Sequence, residues 1–341
     1  MAQEIGPFQG AVAWTAADLD QDQTWRVQLT DAERDEVRTA ARTAISTGKP
    51  TTALTATNFP LPTLGPRLIG FRDELEGGRG FVLLQGLPVE DFSDTEAPVL
   101  LWGIGQYLGI PEPQDKAGAL LHVVTDTGAE VDKSDNIRGF QTNEELNFHT
   151  DGADIFALMC LRTAKSGGRS RLVSSVAIYN AILEERPDLA AELRAPFHFD
   201  ARAQNPDDAK VQTLPVFTAH DGLMSALYKR RYIETAQRFP ELPRLTDKQI
   251  EALDYLDKTA NDPRFHLALT LAPGDLEIGN NATCFHARDT YTDHADPAAR
   301  RCMLRLWLTL PNGRPLPKIY ETTREWGPTY RRRVLQQAAA E

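Results

Sequence analysis

"RCMLRLWLTL", residues 301–310, contains no glycine, proline or acidic residue and reads as one uninterrupted β-strand. Side chains of a strand alternate between its two faces with a period of two. Cys302, Leu304, Leu306, Leu308 and Leu310 therefore point one way, and that wholly apolar face must pack in a core. Arg301, Met303, Arg305, Trp307 and Thr309 point the other way. Methionine and tryptophan set between charges do not suit a solvent face, so this side is expected to be at least partly enclosed. Two guanidinium groups in an enclosed space are costly unless they meet anions. Either acidic side chains on neighbouring strands satisfy them, or a carboxylate ligand is held in the guanidinium fork.

Upstream of this strand the chain is a series of short strands from about residue 138. "FALMCLRTA", "RLVSSV", "APFHFDARA", "PVFTAH", "FHLALTLA" and "DLEIGN" are separated by Gly, Pro, Asn and Asp turns. Two helices interrupt them, "VAIYNAILEERPDLAAEL" and "LTDKQIEALDYLDKTAN", the second opening at Thr246 as its cap. Many short strands with helical insertions predict an antiparallel sandwich or jelly roll decorated by helices. A dinucleotide-binding fold is disfavoured, because strands and helices do not alternate and G-x-G-x-x-G is absent. The first 110 residues read as mixed α/β and mainly helical. "LTDAERDEVRTAARTAI" carries a Thr30/Glu33 capping box, "LGPRLIGFRDELEGG" stops at Gly77 and Gly78, and "DTEAPVLLWGIGQYLG" is a third helix after the strand "GFVLLQGLP". The expected organisation is a single domain over 1–341, in which a region 1–110 packs on a core of residues 138–315.

Composition narrows the function. No run of about 18 apolar residues occurs, so no membrane span is expected, and "MAQEIGPFQG" lacks the basic and apolar parts of a secretory signal. Three cysteines without a C-x-x-C pair favour a reducing cytoplasm over a disulfide framework. A net charge of −11 disfavours nucleic acid or an anionic membrane as partner. A small anionic substrate stays compatible, since a local arginine cluster overrides the global sign.

With 7 histidines and 48 acidic residues among 341, about one His-x-Asp/Glu triplet is expected by chance. Three occur, at 149–151, 198–200 and 294–296. His294 and Asp296 sit in a Pro- and Asp-rich turn that suits solvent. His198 and Asp200 lie in a strand from which closure around His286 is harder. In "NFHTDG", strand alternation sends Asn147, His149 and Asp151 to one side, where positions i and i+2 can converge on one ion. His286 in "FHARD" lies 15 positions before Arg301 with a polar turn between, which predicts adjacent antiparallel strands. Two histidines and one carboxylate form the facial triad of non-haem Fe(II) oxygenases and leave three open positions. Such a centre carries a net charge of +1. A 2-oxo dicarboxylate chelating through its keto and adjacent carboxylate oxygens would leave its far carboxylate in need of a cation, which Arg301 supplies. One position then remains for O₂.

Together "NFHTDG", "KSGGRSRLVS", "FHARD" and "RRCMLRLWL" resemble the taurine dioxygenase family (TauD/TfdA, within the clavaminate synthase-like group), over roughly residues 80–315. The resemblance implies a double-stranded β-helix with Fe(II), 2-oxoglutarate and O₂ as metal, cosubstrate and oxidant. It implies His149, Asp151 and His286 as iron ligands and Arg301 at the distal carboxylate of 2-oxoglutarate. Ser170 stands where the family usually has a threonine that bonds the same carboxylate; it keeps the hydroxyl and loses the methyl that fixes the rotamer. Arg305 matches a position facing the iron-bound end of the cosubstrate or an anionic group of the substrate. Asn147 shares the ligand face and is a candidate for substrate contact. His122 in "ALLHVVTD" falls near a substrate-contacting histidine of the taurine enzyme, against the alternative of an ordinary core histidine. Trp307 is read as packing. Residues 122–147 and 202–212 are expected to form substrate loops.

The implied reaction is oxidation, foremost hydroxylation, of an unactivated C–H of a small molecule with release of succinate and CO₂. Family members often assemble as dimers or larger, which would make a second copy of the chain a partner. Two other classes compete. A jelly-roll protein that senses or stores a small acid needs no open O₂ position. A zinc-dependent hydrolase or isomerase would more often carry a motif such as H-E-x-x-H, which is absent.

Overall fold

Both faces of the strand after Arg301 are buried, as its alternation requires, because it lies at the heart of a large sheet. The computed structural model describes residues 5–115, 117–128, 141–202 and 209–340. Eleven strands build two sheets: β1 (Arg26–Gln28), β2 (Phe81–Gln85), β3 (Ile110–Pro111), β4 (Leu121–Val124), β5 (Leu146–His149), β6 (Ile155–Arg162), β7 (Ser170–Ser174), β8 (His266–Leu269), β9 (Leu276–Asn280), β10 (Cys284–Arg288) and β11 (Cys302–Thr309). The seven-stranded sheet runs β1-β2-β9-β6-β11-β3, with β4 also paired to β11. The four-stranded sheet runs β8-β7-β10-β5. All pairings are antiparallel except β1 with β2. This is the jelly-roll arrangement of two facing sheets, and neither closes into a barrel.

Each sheet is covered outside by helices. Helices α1 (Asp31–Ser46), α2 (Leu64–Gly77) and α3 (Pro98–Leu108) share one core with Leu304, Leu306, Leu308 and Leu310 of β11 and its end. Each such leucine contributes about 1.5–3 kcal/mol by leaving water. The Thr30/Glu33 capping box opens α1 as expected. Helices α4 (Ser175–Glu185), α5 (Pro187–Leu193) and α6 (Asp247–Ala260) pack on Phe148, Val173 and Phe285 of the small sheet. The sequence reading made α4 and α5 one helix; Pro187, which cannot donate to the preceding turn, separates them after Arg186. The N-terminal region also enters the large sheet itself through β1, β2 and β3.

A third apolar cluster fills the space between the sheets, with Phe81, Phe156, Cys160, Met303 and Trp307 from one and Leu172, Leu269 and Cys284 from the other. Across the inner face of the large sheet one row of side chains runs Leu83, Glu277, Leu158, Arg305, His122 on β2, β9, β6, β11 and β4. Cys160, Cys284 and Cys302 are all buried and unbridged. No helix among the described residues is long and apolar enough to cross a membrane. Of the two stretches read as substrate loops, 129–140 and 203–208 lie outside the described residues; the rest includes β4, β5 and the strand Val211–Leu214.

Candidate active site

His149 ends β5 and His286 is the middle residue of β10, and the two face each other directly in the ladder. Their rings lie 4.2 Å apart between centroids. The chain then leaves β5, and Asp151 follows two residues on. Its backbone N–H donates to the Asn281 side-chain oxygen at 2.9 Å, and His286 Nε2 comes within 3.7 Å of Asp151 Oδ2. One ligand atom from each of His149, Asp151 and His286 lies within 4.8 Å of the others, the sole such cluster found among the described residues. His198 instead bonds Thr213 at 2.8 Å in a separate two-stranded pair, and Asp296 caps a short 3₁₀ turn. Of the three triplets, only the first joins His286.

The protonation states suit a cation. His149 Nδ1–H donates to the Asn147 carbonyl at 2.8 Å, which leaves Nε2 as a lone-pair donor. Burial lowers the pKa of His149, and lowers that of His286 well below the ordinary value, with the neighbouring His149 adding to the effect. Burial pushes Asp151 upward, but Arg305 foremost, with His286, His149 and Lys229, holds its carboxyl well below the usual range. At neutral pH the cluster thus offers two neutral imidazoles and one carboxylate, a donor set that fits a divalent iron ion.

Asp151 is tied from the opposite sheet. Trp307 Nε1–H donates to Oδ2 at 2.9 Å, and Arg305 Nη1 lies 3.1 Å from the same oxygen. Arg305 Nε donates to Gln114 at 2.8 Å. The expectation that Trp307 serves as packing therefore covers half its role, since the ring packs while the indole N–H orients the carboxylate. Gly152 makes this approach feasible: a Cβ there would sit 2.8 Å from the Trp307 ring. Lys229, held at 3.0 Å by Glu325, adds a further positive charge near the three residues.

Arg301 and His286 were expected on adjacent strands. They belong to different sheets, Arg301 entering β11 and His286 on β10, and meet across the cavity that both line. A strand's partner depends on chain pairings far apart in sequence, which a separation of 15 positions does not encode. Arg301 is 4 % exposed, its Nη1 has no hydrogen-bond partner among the described residues, and its backbone is pinned by Asp293 and Thr125. The turn at Gly167 and Gly168, both at positive φ, brings the chain alongside the guanidinium; a Cβ on Gly168 would lie 3.5 Å from Arg301 Nε. Ser170, on β7 just after that turn, is buried and lines the same cavity.

The remaining candidates fall outside that arrangement or at its rim. Asn147 is exposed and meets His149 through its carbonyl. His122 stands beside Arg305 in the row of side chains and is bonded to Asp115 at 3.0 Å. Sequence reading missed Asn281, Gln114 and Glu277. All three are polar residues that look solvated in a linear reading and are buried here.

Residues 46–307 match the sequence model of the family described as "Taurine catabolism dioxygenase TauD, TfdA family", reaching further toward the N-terminus than the four quoted motifs. The chain is 32% identical over 327 residues to the FR-33289 synthase of Streptomyces rubellomurinus, which spans 94% of this chain and 95% of that protein. It is 32% identical over 180 residues to a uridine-5'-phosphate dioxygenase of Amycolatopsis sp, covering 50% of this chain and 64% of that one. Among solved structures, asparagine oxygenase bound to Fe(II), hydroxyasparagine and succinate shares the fold at a TM-score of 0.64 and 19% identity, over 84% of this chain and 94% of that one.

Proposed function

The chain belongs to the TauD, TfdA family and is an Fe(II)- and 2-oxoglutarate-dependent non-haem dioxygenase, and from that premise we propose that His149, Asp151 and His286 hold the iron while Arg301 and Ser170 hold the distal carboxylate of 2-oxoglutarate. The observation that carries the assignment is the convergence of the three ligand atoms in a cavity also lined by Arg301, whose buried Nη1 has no hydrogen-bond partner among the described residues. When bound, iron with 2-oxoglutarate and O₂ supplies C–H oxidation with release of succinate and CO₂. The chain's own residues supply orientation and exclude water. Neutral His149 and His286 present imidazole lone pairs, Trp307 orients the carboxylate of Asp151, and Asn281 anchors its backbone. Arg305 balances the Asp151 charge and lines the end of the cavity where the oxoacid's chelating group would lie.

Family membership sets aside a non-catalytic acid sensor and a zinc hydrolase. The direct test is anaerobic addition of Fe(II) and 2-oxoglutarate to the purified protein. A visible metal-to-ligand charge-transfer band is expected, and its absence under saturating conditions would overturn the assignment.

Replacing Trp307 by phenylalanine keeps most of the ring and removes the N–H that bonds Asp151. Loss of such an outer partner typically weakens metal affinity about 10- to 100-fold. Competition for Fe(II) against a coloured chelator measures it, and an unchanged affinity would reduce Trp307 to packing.

For the substrate we infer a small organic molecule bearing an anionic group. Arg288, Arg301 and Arg305 all line the cavity despite the negative net charge, only Arg305 of the three being ion-paired with Asp151, and one relative is named for a nucleotide monophosphate. A screen of phosphate monoesters, phosphonates, sulfonates and amino acids for stimulated succinate release is expected to single out a phosphorus-containing anion. Stimulation by uncharged compounds alone would refute that inference. Three unbridged cysteines suit a reducing cytoplasm.

A further inference from the structure

Glu277 is fully buried, on the inner face of β9, and it lines the same cavity as Arg301 and Ser170. Neither of its carboxyl oxygens finds a hydrogen bond of normal geometry among the described residues. The Ser170 hydroxyl is the one polar group close to them, and a buried acid so poorly matched is costly, so its persistence in a ligand cavity points to a partner that arrives with the ligand. The row of side chains gives its position. Glu277 and Arg305 stand two strands apart with Leu158 between them, which is about 10 Å at the usual strand spacing. Arg305 marks the Asp151 end of the cavity, so Glu277 stands at the far end, where Arg301 and Ser170 converge.

We propose that Glu277 is a cosubstrate-binding residue that enters the complex as the neutral acid and donates its O–H to the distal carboxylate of 2-oxoglutarate, beside Arg301 and Ser170. This rests on the assignment of Arg301 given above. Two carboxyl groups meeting at close range cannot both stay ionised, so the pair shares one proton, taken from solvent as the oxoacid binds. The surroundings of Glu277 permit this. Burial pushes its pKa up to about 7, with the Ser170 hydroxyl and the Arg301 charge holding back a larger rise. The flanking strands β2 and β6 face it with Leu83 and Leu158, which carry no charge. From β10 comes Cys284, itself pushed up by burial to about 12 and so neutral at working pH. Glu277 is therefore the one group facing this end whose charge changes near neutrality, among the described residues.

The sign follows. Below pH 7 Glu277 is already protonated and binding takes up no proton; above it, binding must recruit one, and affinity falls. With the Fe(II)-loaded protein kept anaerobic, the Kd for 2-oxoglutarate read from the charge-transfer band should rise by up to about tenfold per pH unit between 7 and 8.5. Titration calorimetry at pH 8 in two buffers of different ionisation enthalpy should show uptake approaching one proton per oxoacid. Glu277→Gln, which keeps a neutral N–H donor, should bind with nearly constant Kd over this range and without proton uptake, while Glu277→Leu should bind more weakly at pH 6 and be equally insensitive to pH. The proposal is overturned if the wild type takes up no proton at pH 8, or if Glu277→Gln retains the wild-type pH dependence. Failure of the wild-type band itself would instead strike at the iron and Arg301 assignment.

Discussion

Substituting alanine for His149 is expected to abolish both the charge-transfer band and succinate formation. The residue is one of the three proposed protein ligands, and its Nε2 is kept free because Nδ1–H is committed to the Asn147 carbonyl. Removing an imidazole leaves His286 and Asp151 alone, and Asp151 already has Arg305 at 3.1 Å to neutralise it. Without its metal the carboxylate would collapse into that ion pair. The loss in Fe(II) affinity should exceed about 100-fold, the upper end of what an outer partner costs. The parallel variant His198→Ala lies in the separate pair of strands and should leave the band intact. A band that survived His149→Ala would mean that the metal is elsewhere.

Arg301→Ala should separate cosubstrate binding from metal binding. The guanidinium is buried beside the cavity, with Nη1 unpartnered among the described residues, so its loss leaves an incoming carboxylate without its main cation. Truncating one partner of such a buried pair costs about 2–5 kcal/mol, roughly 30- to 5,000-fold in Kd for 2-oxoglutarate. Fe(II) affinity, measured by chelator competition, should change little, because none of the three ligands touches Arg301. Arg301→Lys should recover part of the loss, since an ammonium restores the charge without the two-pronged fork. Equal loss of iron and oxoacid affinity in Arg301→Ala would show that the side chain holds the sheets together instead of the ligand.

Much of this site could be read from the chain because its decisive pairs are local or periodic. His149 and Asp151 are two residues apart, and alternation alone puts them on one side. Arg301 and Arg305 stood out because Met303 and Trp307 share their face, which only an enclosed strand explains. What could not be read were contacts between residues far apart in sequence. Asn281 supports Asp151 from 130 positions away, and nothing near either one signals it. Glu277 sits between Leu276 and Ile278, a pattern that in isolation describes a strand with one wet face. Its burial follows from the second sheet lying over it, and that sheet is assembled from strands up to 142 positions apart, as in the pairing of Arg288 with Leu146. The separation of His286 from Arg301 onto different sheets has the same origin.

That separation gives the two ligands unequal mechanical effects. The proposed iron donors sit on β5, its following turn and β10, so a lone cation there would draw together the two strands of one ladder and a carboxylate already bonded to the other sheet. An oxoacid chelated at that centre and gripped by Arg301 would span the gap like a cross-brace, fastening one wall of the molecule to the other.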